Sequence, residues 1–378
     1  MKKLASYVIF LIIWFTDLPT AAAQQTKNLI FITLDGLRWQ EVFSGADSLL
    51  INDAQFVHGD SAKPFYSEVT PEARRKQLMP FFWNTIESKG QLYGNRSHNN
   101  EVNCANPHWF SYPGYSEIFT GFIEPKIKSN RSITNPNPTF LEFLHSKAEY
   151  DKRVAAFATW GTFNDILREK KSKIPVNAGY DKAFAQPTAT EAILDSLQQA
   201  IVTPIGVRYD SITFRYAMEY LKMQRPKVLF LGLDETDEYG HKGRYDQYLF
   251  AAHQADKMIE ELWMWLQSQA DYKNQTTIII TTDHGRGNGK HWTGHGRLKA
   301  GSNHVWLAVM GPDTPALGEI KTATRHYLKQ LASTAVALLG YTYDASRPTG
   351  KVIESVFTDQ RYADLKDSRS KKDRISKR

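Results

Sequence analysis

Residues 276–285 read Thr276-Thr277-Ile278-Ile279-Ile280-Thr281-Thr282-Asp283-His284-Gly285. Seven β-branched residues in succession predict a strand over 276–282, and so continuous a run fits a strand covered on both faces. An acid and an imidazole follow at once. The same pattern stands at 28–34, which ends in Leu34-Asp35-Gly36. It recurs at 227–233, followed by Asp234-Glu235-Thr236-Asp237 and then Gly240-His241. Strand-like runs also occur at 153–160 and 304–310. Helical patterns lie between them at 78–89, 139–147, 210–223, 248–269 and 325–339. The clearest is 248–269, where Leu249, Ala252, Ile259, Leu262 and Leu266 form one stripe. This alternation predicts a three-layer α/β domain with a mainly parallel central sheet and helices on both faces. The stretches 44–80 and 95–138 read as long loops, and long loops in a compact domain are usually functional.

The chain has 378 residues, 42% of them hydrophobic and 12% aromatic, which excludes a disordered chain. Cys104 is the only cysteine, so a disulfide scaffold is excluded, and burial rather than reactivity is its expected state. The net charge of +7 invites a nucleic-acid reading, but its distribution argues against one. The last twenty residues carry +4 and the first 23 carry +1, which leaves +2 for the body. The domain is therefore expected over 24–358, with a basic, disordered tail at 359–378. Residues 1–23 read as a signal peptide: Lys2 and Lys3, an apolar run of about a dozen residues, then Ala21-Ala22-Ala23. Spanning a bilayer takes about 20 apolar residues, so no stable membrane anchor is expected after cleavage. A periplasmic or secreted protein follows, with a small-molecule substrate and no nucleic-acid partner.

Ligands of an open α/β sheet bind beyond the carboxyl ends of its strands. Three strands deliver Asp35, Asp237, His241, Asp283 and His284 to that edge. Alone, each of these has a structural explanation as a turn or cap residue. Together they would crowd negative charge unless cations sat among them. Carboxylates and imidazoles without thiolate suit zinc first, then manganese or magnesium. So many ligands exceed one tetrahedral ion, and paired ions about 4 Å apart are the arrangement that serves phosphoryl transfer. A hydroxyl nucleophile is then needed. The segment 106–121 offers Ser111, Ser116 and Thr120 at a turn that leads into a helix, and the chemistry alone does not choose among them.

As a set these residues resemble the alkaline phosphatase superfamily, especially its type I phosphodiesterase/nucleotide pyrophosphatase-like and sulfatase-like branches. The resemblance runs from Asp35 to about Pro312. It implies that Ser111, two residues before Pro113 and followed by Thr120-Gly121, is the nucleophile. It also implies that Asp237, His241 and His295 hold one divalent ion, while Asp35, Asp283 and His284 hold a second that the Ser111 oxygen joins. His291 and His304 compete with His295 for the last place. Two divalent ions balance three carboxylates and an alkoxide. The implied reaction is phosphoric ester hydrolysis through a phosphoserine, with mono- or diester left open.

Departures narrow the reading. A sulfatase needs Cys-x-Pro-x-Arg, whereas this chain has Ser111-Tyr112-Pro113-Gly114-Tyr115. The stretch 121–227 is short for the inserted domain of a phosphoglycerate-mutase-like phosphotransferase. A non-catalytic metal- or glycan-binding exported protein would need no Ser111. Asn130, Arg131 and Asn135 are candidates to contact substrate, and Trp109, Trp160 and Asn164 to line a leaving-group pocket.

Overall fold

The computed structural model describes residues 25–60, 62, 65, 68–359 and 361–363. The expected signal segment and most of the basic tail lie outside them. Eleven strands are found among the described residues: β1 (Asn28–Leu34), β2 (Gly90–Tyr93), β3 (Asn100–Asn103), β4 (Val154–Ala158), β5 (Val176–Ala178) and β6 (Val228–Leu233). They continue with β7 (Thr276–Thr281), β8 (His304–Val305), β9 (Leu307–Met310), β10 (Gly318–Glu319) and β11 (Thr324–Tyr327). Eight of them form one sheet in the order β10-β2-β9-β7-β1-β6-β4-β5, and β11-β3-β8 form a second. β7, β1, β6, β4 and β5 run parallel, with Ile32 opposite both Leu231 and Ile280. β9 runs antiparallel to its two neighbours.

Side chains of β1 alternate between two cores. Leu29 and Phe31 join Tyr115, Phe119 and Phe140 on one face. Ile30, Ile32 and Leu34 join Leu249, Ala252 and Ile259 on the other. The helices Ser111–Thr120, Phe140–His145 and Leu331–Leu338 cover the first face, and Asp210–Gln224 and Tyr245–Ser268 the second. Such double cover explains why every residue of β1, β6 and β7 is buried and why these strands carry no polar alternation. A side chain such as Phe31, fully buried, contributes about 1.5–3 kcal/mol relative to exposure. The three-layer, mainly parallel fold expected from the sequence is the fold observed.

Several boundaries differ for local reasons. The run 304–310 splits at Trp306, whose indole N–H donates to the Leu37 carbonyl at 2.8 Å while its own carbonyl accepts from Thr281 Oγ1 at 2.6 Å. The chain thereby changes sheets. The pattern 78–89 breaks after the helix Pro71–Leu78, because the Asp256 carboxylate takes the backbone N–H groups of Phe81 and Phe82 and starts a new helical run. The expected helix 325–339 begins only at Leu331, since Thr324–Tyr327 pairs in parallel with β3. Both expected long loops hold elements, among them β3 and the fully buried helix Ser111–Thr120.

Candidate active site

The edge where β1, β6 and β7 end carries the acids. Asp35 follows β1, Asp283 and His284 follow β7, and Asp237 and His241 lie four residues apart on one face of the helix Glu235–His241. One ligand atom from each of Asp35, Asp283 and His284 falls within 4.8 Å of the others, and Asp237, His241 and His295 form a second such group. The two groups adjoin, for His284 Nε2 lies 3.8 Å from Asp237 Oδ1 and the His284 and His295 rings stack at 3.8 Å.

Ser111 opens the helix Ser111–Thr120, and its Oγ lies 3.2 Å from His284 Nε2. Pro113 suits the first turn, where its missing N–H has no intrahelical partner to lose. Gly114 is required by close approach: a Cβ there would lie 2.3 Å from the Asp283 carbonyl oxygen. The helix can therefore press against the strand end that carries Asp283. Asn130 caps the same helix, accepting from Tyr112 N–H at 3.0 Å through Oδ1, and its Nδ2 donates to Ser111 Oγ at 3.4 Å. Before the helix, buried Glu117 accepts the backbone N–H groups of Ala105 and Asn106, and Asn106 accepts those of His108 and Trp109. Trp109 is held at φ 54°, a left-handed conformation that is uncommon for a bulky residue.

Hydrogen bonds orient the imidazoles. His295 Nδ1 donates to the Trp109 carbonyl at 3.0 Å and His284 Nδ1 to the Gly285 carbonyl at 2.8 Å. With the proton on Nδ1, each Nε2 lone pair is left for the cluster. Burial, then Asp283, Asp234 and Asp237, push the Asp35 carboxyl well above the usual carboxylate range. Burial and then Asp237 push Asp283 up to about 7. Burial, with His295 close by, holds His284 well below an ordinary imidazole. The Asp35 Oδ1 and Asp283 Oδ2 atoms are buried and have no hydrogen-bond partner. Desolvated carboxylates, orphaned oxygens and inward imidazole lone pairs are together a donor set that divalent cations fit.

Asp237 behaves differently. Burial would raise its pKa, but Arg286, then His295 and His241, hold it well below the carboxylate range. Arg286 is buried, donates to Asp237 Oδ1, and reaches the carbonyls of Trp292 at 2.8 Å and Thr293 at 2.7 Å. Sequence reading missed this residue. Glycines distant in sequence make room for it, and no local pattern marks them: a Cβ on Gly240 would lie 2.6 Å from the Arg286 guanidinium carbon, and one on Gly36 3.0 Å from Nη1.

Other candidates fall elsewhere. Thr120 Oγ1 donates to the Ser116 carbonyl within its own helix. Ser116 Oγ is buried without a partner, and neither hydroxyl joins the acid–imidazole groups. His291 is exposed on a short 3-10 turn and His304 pairs with Asn103 at the edge of the small sheet. Asn135 is buried, accepting from Asn137 N–H and donating to the distant Ile166 carbonyl, Asn164 donates to Asp181, Arg131 is exposed, and Trp160 packs edge-on to Phe163. The Cys104 thiol is buried and donates to the Asp283 carbonyl at 3.2 Å.

A mainly parallel sheet with this cluster at the ends of its central strands defines a hydrolase of the alkaline phosphatase superfamily. The chain belongs to the type I phosphodiesterase / nucleotide pyrophosphatase family, whose model matches residues 51–297, more than half its length. Solved structures of similar fold include the alkaline phosphatase PafA, at TM-score 0.60 and 9% identity over 89% of this chain and 100% of that one. The lipoteichoic acid synthase LtaP from Listeria monocytogenes aligns at 0.56 and 13% identity, over 90% of this chain and 76% of its own. The phosphonate monoester hydrolase SpPMH from Silicibacter pomeroyi aligns at 0.52 and 13%, over 87% and 76%. No curated protein matches the chain in sequence. Superfamily members hydrolyse phosphate or sulfate esters and use divalent metals. Among the described residues no helix is long and apolar enough to cross a membrane.

Proposed function

We propose that this chain is an exported, two-metal phosphoric ester hydrolase that works through a phosphoserine on Ser111. The observation that carries the reading is the position of Ser111 Oγ, 3.2 Å from His284 Nε2 at the junction of the two acid–imidazole groups. Asp237, His241 and His295 would hold one divalent ion, and Asp35, Asp283 and His284 the other, zinc being the first choice for this donor set. Bound there, the ions supply positive charge that lowers the pKa of the serine hydroxyl and offsets charge on the phosphoryl oxygens.

Ser111 then attacks phosphorus in line with the departing alcohol, and water later displaces the serine from phosphorus. Asn130 Nδ2, already directed at Oγ, is placed to donate to a phosphoryl oxygen. Burial of Tyr112 and Tyr115 behind Ser111 keeps bulk water from that side of the nucleophile. Tyr115 also donates to Asp35 Oδ2 at 2.9 Å and so fixes that carboxylate. The serine in place of a sulfatase cysteine favours phosphate over sulfate. The putting of the protein outside the cytoplasm rests on the residue pattern of 1–23.

The test combines metal analysis with rates on p-nitrophenyl phosphate, its bis-ester and p-nitrophenyl sulfate, for the native chain and Ser111→Ala. The proposal expects bound divalent metal in both proteins, phosphate ester turnover, and a loss of about a thousandfold or more in the variant. A variant that hydrolyses phosphate esters at the native rate, or a dominant sulfate rate, would overturn it.

A further inference from the structure

Three segments meet around Ser111. The turn 106–110 leads into it, with His108 three residues before the nucleophile. Asn130, whose side chain contacts Ser111 Oγ, anchors a second segment that carries Lys128 two residues earlier. Gly296 anchors the third: a Cβ there would stand 3.0 Å from the Phe110 ring and 3.8 Å from the His108 carbonyl oxygen. Arg297 therefore emerges beside His108. Lys128 and Arg297 are exposed, and neither has an ion-pair or side-chain hydrogen-bond partner among the described residues. After burial, these two cations are what hold the His108 imidazole below its ordinary value, so both act at one place. Some surface cations are paired, as in Arg325 with Glu101, Arg347 with Glu124 and Lys290 with Asp53, so what marks Lys128 and Arg297 is their place beside the nucleophile.

We infer that Lys128 and Arg297 form a specificity subsite at the mouth of the active site, and that the preferred leaving alcohol carries a second anionic group. Two uncompensated cations converging on one side of a nucleophile create a local positive potential, which attracts an anion and repels a cation. The acid–imidazole groups and their ions are positioned to take the phosphoryl group that reacts, so the rim charges face what departs. A carboxylate or a second phosphate on the alcohol has the chemistry to meet them, and Arg297 suits either through paired N–H donors.

This inference rests on the hydrolase reading, and one experiment separates the two. The kcat/KM of the native protein is compared on phenyl phosphate, 4-carboxyphenyl phosphate and 1,4-phenylene bisphosphate, by release of inorganic phosphate. A preference of about three- to tenfold for a charged substrate is expected, carried by KM and reduced by added salt. The preference ratio should collapse towards one in the Lys128→Ala/Arg297→Ala double variant and survive in Arg297→Lys. Comparison of the carboxylate and bisphosphate tells which anion the subsite takes. Turnover of all three substrates without preference, or an unchanged ratio in the double variant, overturns this inference alone. Failure of the native protein on all three and on bis-p-nitrophenyl phosphate overturns the hydrolase reading and this inference together, whereas failure on the three with turnover of that diester overturns this inference alone.

Discussion

Arg286 donates from Nη1 to Oδ1 of Asp237, while Asp237 Oδ2 faces His241 Nε2 at 3.0 Å. One carboxylate is thus shared between a guanidinium behind it and an imidazole in front. The same guanidinium bonds the Trp292 and Thr293 carbonyls, in the segment that leads to His295. Arg286 thereby ties the helix that bears two members of one acid–imidazole group to the loop that bears the third.

Arg286→Met is expected to weaken metal binding by the Asp237, His241 and His295 group by about 10–100-fold, the usual effect of losing an orienting partner. Titration of the metal-free protein with zinc measures this without reference to turnover. Unchanged affinity at that group would show that the backbone alone fixes Asp237.

Asn130→Ala removes the donor aimed at Ser111 Oγ and the cap on Tyr112 N–H. We expect kcat/KM on phosphate esters to fall by about 10–100-fold. The lost cap should also cost about 1 kcal/mol of stability, readable by urea denaturation. Asn130→Asp restores the acceptor but not the donor, so it should recover stability without recovering rate.

Gly114→Ala would drive a methyl group into the Asp283 carbonyl, at 2.3 Å. The helix must then back away from the strand end, at a cost of about 1–3 kcal/mol. Thermal unfolding of the variant measures the loss. A stability equal to the native protein would mean that the helix is not held there.

Asp256 lies away from the site and titrates with folding. Burial, partly offset by the N–H groups of Phe81 and Phe82, pushes its carboxyl up to about 7. Its unfolded value is about 3.9. Between those values the native state binds the extra proton, so its contribution is fully present below about pH 4 and lost as pH rises through 7. The stability gap between the native protein and Asp256→Asn should therefore be larger at pH 5 than at pH 8, as denaturation at the two pH values would read. A gap that widens with pH would contradict the assignment.

The central strands were legible in the sequence because burial on both faces leaves β-branched, aliphatic and aromatic residues in unbroken runs, as in 276–282 and 29–34. The acids at their ends were legible for the same reason, since a polar residue stands out after an apolar run. The short edge strands were not: β10 and β11 are two and four residues long, partly exposed, and have no period to read. The helix start at 331 was hidden because Arg325 and His326 fit a helical pattern as well as an edge strand, and pairing with β3 decides between them. Among site residues, Asp35, Asp237, His241, Asp283, His284 and His295 are brought into two adjoining groups with Ser111 beside them. Arg286 was not legible, because an arginine between glycines reads as solvent-facing loop and its burial depends on glycines distant in sequence. The contact between Asn130 and Ser111 also depends on tertiary approach, since no local pattern marks it.

The peptide unit of Trp109 joins two things that a longer loop would have kept separate. Its carbonyl holds the His295 ring, and its chain reaches Ser111 two residues later. An insertion or deletion anywhere in 106–110 would misplace the serine and turn the imidazole in the same stroke, so that stretch has a fixed length across any functional descendant of this chain. The exposed turn 297–300 has no such double duty. Divergent relatives are free to lengthen or rewrite it, and with it the choice of substrate, while the chemistry stays untouched.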